Sequence, residues 1–571
     1  MQPVLNVEDI KKVEHHLADV GVSISELMHR AGLAVGREVV ELKEVSTVTV
    51  MCGFGNNAGD GWVAAGYLHK KGCTVTVVTP VGTDELQADL IRVCAKSAEA
   101  QGVAVVVAPP REELEELLFK SDVVIDAMFG TGFRGFAHEP FSIWIDCVNE
   151  SAARVVAVDV PSGLSAQTGL KQGNCIIADL TVTMIALKPG LLCDDARDVV
   201  GAIVVAPLAE QSDYLVREAD PVAWRVDFDD YADVIPQPSK AHDKYSRGTV
   251  LVVAGSARFP GAAIRVDFDD YADVIPQPSK AHDKYSRGTV LVVAGSTRFP
   301  GAAIMAALAC ARAGAGYVTL AVPESIAALA QSHLLDIPVL ALPASPEGTF
   351  GAAACEAVAQ LAPKFDACLI GPGMRVNAHT VSIVSALLTS NVPLVVDADG
   401  LNCIARLTGN KLDKFPELIR RNAPLILTPH RKELARLVGL EKEPLSTLSA
   451  TLEAARRIVW SDGGSELVVM AKSSATACVS TDVALLPKPG PACLATAGTG
   501  DVLAGITASL LAQSHVTNEE LVLLASYACE LHGASALLAQ KKFGETAVMA
   551  HDLLNYIGLA AQDFGDSFSQ A

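Results

Sequence analysis

Asp501 closes the run "ATAGTGD", where small residues and two glycines lead straight into an apolar helical pattern. A helix N-terminus offers unpaired backbone N–H groups and the positive end of its dipole, so Ala497, Gly498, Thr499 and Gly500 could cradle a phosphate. Asp501 would then stand beside the group to which that phosphate is transferred. Ordinary capping explains a single acid at such a place, but a cap alone has no need of Gly498 and Gly500. The first half holds a second set. "GFGNNAGDG" (53–61) spaces its glycines G-x-G-x-x-x-G, one residue away from the dinucleotide fingerprint, and it carries Asn56, Asn57 and Asp60. Asp126 in "DAMFGTGFRG", and Asp159 with Ser162 in "VDVPSG", end two further apolar runs. A tight turn accounts for any one of these; three loaded ends together point to a site.

Such residues meet only if their elements bring them to one edge. "STVTVMC", "CTVTVVTP", "DVVIDAMFG" and "RVVAVDVPSG" read as buried strands, with "GWVAAGYLHKKG" as the helix after the first. The second half continues with "GTVLVVAGS", "GYVTLAV", "DACLIGPG", "VPLVVDADG", "APLILTPH" and "ELVVMAK". Strands alternating with amphipathic stretches predict parallel α/β sheets. The carboxyl ends of such strands line the ligand crevice.

The first half closes near Trp224. Arg225 to Ile264 then recurs at Arg265 to Ile304, with Ala257 replaced by Thr297 as the one change. Solenoid repeats diverge and number three or more, so this reads as a tandem duplication with one redundant copy. The expected division is residues 1–224, a redundant copy at 225–264, and residues 265–571. Only the second copy runs on into "MAALACARAGAGYVTLAV", so Thr289 to Ala294 is expected to hold the native strand position.

A length of 571 residues implies two or three domains, and 50% hydrophobic residues supply their cores. The formal charge of −20, without a basic block, argues against nucleic acid as the main partner. Thirteen cysteines are scattered without a C-x-x-C pair, and an odd number closes no disulfide framework. They fit core positions in a reducing compartment. "MQPVLNVEDIKKVEHH" has no apolar h-region, and no uncharged apolar run reaches membrane-spanning length. The expectation is a soluble cytoplasmic protein with no membrane partner.

"GNNAGDG", "DAMFGTGFRG", "VDVPSG" and "TVTMIALKPG" closely resemble the epimerase domain of the bifunctional NAD(P)H-hydrate repair enzymes. "GTVLVVAGS", "GPGM", "DADGLN", "TPHRKE" and "ATAGTGD" resemble their ribokinase-like dehydratase domain. The resemblance spans nearly the whole chain in the expected order. It implies a Rossmann-like three-layer epimerase domain followed by a ribokinase-like α/β domain. The implied substrates are NADHX and NADPHX, in which water has added across the C5=C6 bond of the nicotinamide. The first domain would interconvert the R and S epimers at C6, and the second would dehydrate the S epimer at the expense of ADP.

By the same resemblance, K+ falls to Asn57, Asp126 and Ser162. The dinucleotide is lined by Asn56, Asn57, Ala58, Gly59 and Asp60 and by Gly130, Thr131, Gly132, Phe133, Arg134, Gly135 and Phe136. Asp159 is the expected acid/base, and Lys188 in "ALKPG" is either its helper or a surface lysine. Lys472, Ser473, Ser474, Ala475 and Thr476, with Ala497 to Gly500, match the ADP contacts. Ala302, Gly373, His430 and Asp501 match the hydrate contacts, Mg2+ is expected with the ADP, and a homo-oligomer is expected. Two departures stand out: Ala58 where the family has glycine, and Lys472-Ser473 where it has Lys-Gly. Hydroxide leaves poorly, so phosphorylating the C6 hydroxyl would ease elimination, with Asp501 taking the hydroxyl proton. No G-x-x-x-x-G-K-[ST] occurs, so no Walker loop holds the phosphates.

Two other readings remain at this stage. "AGTGD" also suits a ribokinase-like vitamin-precursor kinase, which would need ATP rather than ADP and has no use for an epimerase site. The first domain could instead be a non-catalytic binding module, although Asp126, Asp159 and Ser162 are all retained.

Overall fold

Among the described residues, every β-branched run singled out above becomes a strand. The computed structural model describes residues 2–171, 173–193, 196–209, 212–226, 287–419, 421, 423–441, 445–461, 466–514 and 518–562. They form two compact units, one of Gln2–Ala223 with Thr447–Ser449, the other of Trp224–Ser446 and Ala450–Ala571.

The first unit is a seven-stranded parallel sheet in the order Ala104–Val107, Thr74–Thr79, Thr47–Cys52, Val123–Ala127, Arg154–Val158, Leu180–Met184, Ala202–Ala206. Successive residues face opposite layers, as a pleated strand requires. Val50, Ile125 and Val156 pack with Trp62 on one side, and Met51, Val124 and Ala157 with Trp144 on the other. This is the three-layer α/β arrangement expected.

One expectation is corrected here. "GNNAGDG" is not a loop before a helix, because Asn56–Lys70 is already helical from Asn56. Ala58 is fully buried within it and has no left-handed φ, so the replaced glycine costs nothing in backbone strain. Gly61 serves close approach instead: a Cβ there would lie 2.6 Å from the Ala127 Cβ, so only glycine lets the helix sit this tightly on the sheet.

The second unit's sheet runs Ala223–Arg225, Ala484–Leu486, Ala477–Val479, Leu467–Ala471, Leu425–Leu427, Leu394–Val396, Ala367–Ile370, Thr289–Val293, Tyr317–Pro323, Val339–Leu342. All neighbours are parallel except at Ala477–Val479, which is antiparallel to both of its neighbours. Helix Thr499–Gln513 packs on Pro300–Arg312 with Gly505 against the Ala306 carbonyl, which explains the run of small residues in both. Glu520–Phe543 is long and apolar enough to cross a membrane, yet 83% of its apolar window is buried inside the protein, as in a core helix.

The expected boundary at Trp224 falls inside a strand, for Trp224 and Arg225 pair with Leu485 and Leu486. Thr289–Val293 holds the central position between Tyr317–Pro323 and Ala367–Ile370. The corresponding stretch of the first copy, 249–254, lies outside the described residues. Deleting Arg225–Ile264 joins Trp224 to Arg265 and restores the sequence Trp-Arg-Val in that strand. Because each doubling of a loop costs only about 0.6 kcal/mol, this deletion should leave the melting temperature, and both activities that the resemblance implies, near those of the full chain. It should also improve solubility by removing an apolar β-prone segment. A folded deletion variant without dehydratase activity would show that both copies are needed.

Candidate active sites

In the first unit the strand order reverses between Thr47–Cys52 and Val123–Ala127, which makes this the switch point where an α/β sheet opens its crevice. Asp126, fully buried at the second strand's end, accepts from the Ser162 N–H (2.7 Å), the Ser162 hydroxyl (2.6 Å) and the Met128 N–H (3.2 Å). Ser162 Oγ accepts from the Phe129 N–H at 2.9 Å, and the Phe129 carbonyl accepts from Asn57 Nδ2 at 2.9 Å. Asn57 Oδ1 makes no hydrogen bond among the described residues. Burial pushes Asp126 up to about 6, against the pull of the Ser162 bonds. Asn57, Asp126 and Ser162 are thus brought together, and the Phe129 carbonyl joins them. One carboxylate among neutral oxygens is a donor set that fits a hard monovalent cation.

Asp159 follows the next strand with a left-handed φ of 66°, a strained conformation for a residue with a side chain. Its Oδ1 accepts from Lys188 Nζ (2.5 Å), the Met184 N–H (3.1 Å) and Thr183 Oγ1 (3.3 Å). Lys188 is 1% exposed and also donates to Thr183 Oγ1 and the Met184 carbonyl, both at 2.8 Å. All three ammonium protons are therefore engaged, and the surface-lysine alternative falls. Asp159 Oδ2 has no partner among the described residues. Burial, then the charges of Asp159 and Glu14, push the Asp60 carboxyl well above its ordinary range. Glu14, raised by its own burial, was not singled out by its sequence. It lies on the helix Val7–Asp19 and feels the charges of both Asp159 and Lys188. In the segment after Asp126, Arg134 Nη1 folds back onto the carbonyls of Thr131 (3.0 Å) and Phe133 (2.8 Å).

In the second unit Gly498, with φ 96°, is the N-cap of Thr499–Gln513. Asp501 is therefore not the cap, and its carboxylate makes no hydrogen bond among the described residues. The Thr499 N–H turns to the Thr496 carbonyl at 3.4 Å, whereas those of Ala497, Gly498 and Gly500 have no acceptor among the described residues. Lys472 Nζ lies 3.4 Å from where a Gly500 Cβ would be, and pairs with Asp397 Oδ1 at 2.6 Å. Thr428 Oγ1 donates to the same Asp397 oxygen at 2.6 Å. Burial, then the charge of Asp397, pushes Asp501 up to about 7, with Lys472 opposing. Burial alone would lower Lys472, but Asp397 and Glu433 outweigh it and its pKa is raised.

His430 is the N-cap of Arg431–Leu437; its Nδ1 accepts from the N–H groups of Lys432 (3.1 Å) and Glu433 (3.2 Å). Its ring is 53% exposed and it stands beside Lys472, whose N–H donates to the Pro429 carbonyl at 2.8 Å. Buried Glu433 closes the capping box and is pushed up to about 7 by that burial. At this unit's own switch point Gly373 and Ala302 adjoin, since a Gly373 Cβ would lie 3.0 Å from that of Ala302. Ser473 and Thr476 close a turn, Thr476 Oγ1 donating to the Ser473 carbonyl at 2.9 Å. His532 went unnoticed in the sequence: buried on the helix Asn518–Phe543, it bonds the backbone of Thr499, and burial lowers it to about 4.

Two family models match this chain: one described as YjeF-related protein N-terminus over residues 24–190, the other as NAD(P)H-hydrate dehydratase over residues 290–558. The bifunctional NAD(P)H-hydrate repair enzyme of Salinibacter ruber is 32% identical, the match covering 100% of this chain and 98% of the relative. That of Hyperthermus butylicus is 32% identical over 95% of this chain and 89% of the relative. Among solved structures, the ADP/ATP-dependent NAD(P)H-hydrate dehydratase of Bacillus subtilis, co-crystallized with ATP/Mg2+, is 26% identical. It covers 52% of this chain and 96% of its own, with a TM-score of 0.42.

Proposed function

The chain belongs to the family of bifunctional NAD(P)H-hydrate repair enzymes, and we propose from that premise which of its groups perform the two steps. The first unit epimerises the hydrate at C6. This carbon bears a hydroxyl beside the ring nitrogen N1. Inversion can therefore proceed by removal of the hydroxyl proton as the C6–N1 bond opens, its electron pair going to N1 and leaving C6 an aldehyde. The proton returns to that oxygen as N1 closes on the other face. Asp159 suits this, because Lys188, Thr183 and Met184 hold Oδ1 and leave Oδ2 to the substrate. Asn57, Asp126, Ser162 and the Phe129 carbonyl would hold K+, which when bound supplies a fixed positive charge at the crevice.

The second unit dehydrates the S hydrate with ADP. The single observation that carries this reading is Asp501, half-buried one residue beyond Gly500 and without a hydrogen bond among the described residues, with the Lys472 ammonium alongside. Free N–H groups at the helix start and Lys472 would stabilise charge on the transferred phosphoryl group. Asp501 accepts the C6 hydroxyl proton as that oxygen attacks the β-phosphorus of ADP, whose bond to the bridging oxygen breaks to release AMP. The phosphorylated oxygen then leaves C6 as phosphate while C5 gives up a proton, which restores the C5=C6 bond. Mg2+ is expected with the ADP phosphates rather than in an all-protein cage.

Mixing the enzyme with ADP and racemic hydrate, and following the return of reduced-cofactor absorbance, tests both steps. Complete recovery is expected. Recovery of the S epimer alone removes the epimerase reading, and a need for ATP with accumulation of a phosphorylated product favours the kinase. A pH profile tests Asp501 further. A base pushed up to about 7 is ionised above that value, so dehydration should fall as pH drops below about 7. A rate unchanged well into the acid range would exclude it as the base.

A further inference from the structure

The segments that leave the two switch-point strands of the first unit carry linked aromatic rings. Phe54, 53% exposed, follows Thr47–Cys52, while Phe129 and Phe133 follow Val123–Ala127. Phe129 and Phe133 stack with centroids 4.3 Å apart and planes 16° apart. Phe141 lies 4.8 Å from Phe129 and 5.9 Å from Phe54, edge-on to the latter, and rests on Trp144 at 5.3 Å. Phe141 and Trp144 are buried, so a fixed floor holds two outer rings, Phe54 and the half-buried Phe133. A lone exposed phenylalanine is ordinary. Outer rings joined through the half-buried Phe129 and the buried Phe141 at the mouth of a ligand crevice are a prepared apolar surface.

Their position relative to the reacting centre is set by the sheet. Asp159 follows Arg154–Val158, and Thr47–Cys52 lies two strands away, about 10 Å at ordinary strand spacing. Between them stand the Asp126 oxygens; helix Asn56–Lys70, whose N-cap Gly55 directly follows Phe54, places Asn57 against the Phe129 carbonyl of the segment after Asp126. A dinucleotide with its hydrated ring at Asp159 and its pyrophosphate over that helix start therefore brings its second base to the aromatic rings.

We propose that Phe54 and Phe133 form a stacking shelf for the adenine base, so that the epimerase site selects a whole dinucleotide hydrate over a hydrated mononucleotide. The proposal rests on the epimerase reading above. Its coupling to the cation site is covalent, since the Phe129 carbonyl that faces Asn57 belongs to the same segment as the shelf.

The test uses the full chain, with interconversion of R and S epimers followed by chromatography, on NADH hydrate and on the hydrate of reduced nicotinamide mononucleotide. Phe54→Ala should raise KM for the dinucleotide hydrate by about 10-fold, the scale of one lost base stack, and leave KM for the mononucleotide hydrate unchanged. Phe54→Trp should restore the dinucleotide KM. Equal changes for both substrates, or no change for either, overturn the shelf. So does an Ala variant whose KM values are normal but whose sedimentation reveals a lost self-association, which would make the patch a protein contact. If the wild-type chain epimerises neither hydrate, the epimerase reading itself fails and the shelf fails with it; the other outcomes strike the shelf alone.

Discussion

Asp501→Asn is expected to bind ADP as the wild type does while dehydration of the S hydrate falls by at least ~100-fold, the usual scale for general acid–base work. The substitution keeps the shape and removes the one property in question, the capacity to take a proton. The groups expected to hold ADP are untouched: the helix-start N–H groups, Lys472 and the turn at Ser473 to Thr476. Calorimetric ADP binding and recovery of reduced-cofactor absorbance separate the two effects. Stability gives a second, independent check. Burial raises the folded-state pKa of Asp501 to about 7, so stability falls as pH rises from its unfolded value to about 7, and above that the ionised form opposes folding in full. Removing that charge should leave the variant at least as stable as the wild type at neutral pH. Dehydration at near wild-type speed in the Asn variant would remove Asp501 from the mechanism.

How far the residues announced this arrangement differs from place to place. The six strands read in the second half are all present, because continuous β-branched runs suit strands covered on both faces. Ala104–Val107 escaped notice because it is a short edge strand, and the antiparallel hairpin at Ala477–Val479 because its strands are three residues long. The loaded strand ends were legible for a topological reason, since any polar residue there is delivered to the same rim. That rule would also have found Asp397 and Thr428, which end Leu394–Val396 and Leu425–Leu427. Other partners carried no such signal. Whether Lys188 is buried depends on the Asp159 carboxylate, twenty-nine positions back, being there to meet it. His532 sits within a long apolar helix, and nothing local says which backbone lies across from it. The helical start at Asn56 was hidden because glycines that signal a turn in isolation here permit close packing on the sheet.

Asp159→Asn should leave repair of the S hydrate intact while the R hydrate is consumed only as fast as it epimerises spontaneously. An amide in the same place can still accept from Lys188, whose bonds to Thr183 Oγ1 and the Met184 carbonyl remain, so the fold is expected to survive. Lys188→Met behaves differently. It strips the ion pair from a carboxylate that is only 13% exposed and held at a left-handed φ. Breaking a buried pair from one side typically costs ~3–5 kcal/mol, so this variant should lose melting temperature as well as epimerase activity. Lys188→Arg keeps the charge but replaces a compact ammonium with a planar fork that cannot reproduce three bonds converging on one nitrogen. It should recover stability in part and activity far less. The contrast between the three separates a catalytic carboxylate from a structural ion pair. If Asp159 were merely structural, Asp159→Asn would keep R-epimer turnover at the wild-type rate, and the loss in Lys188→Met would follow the fraction unfolded.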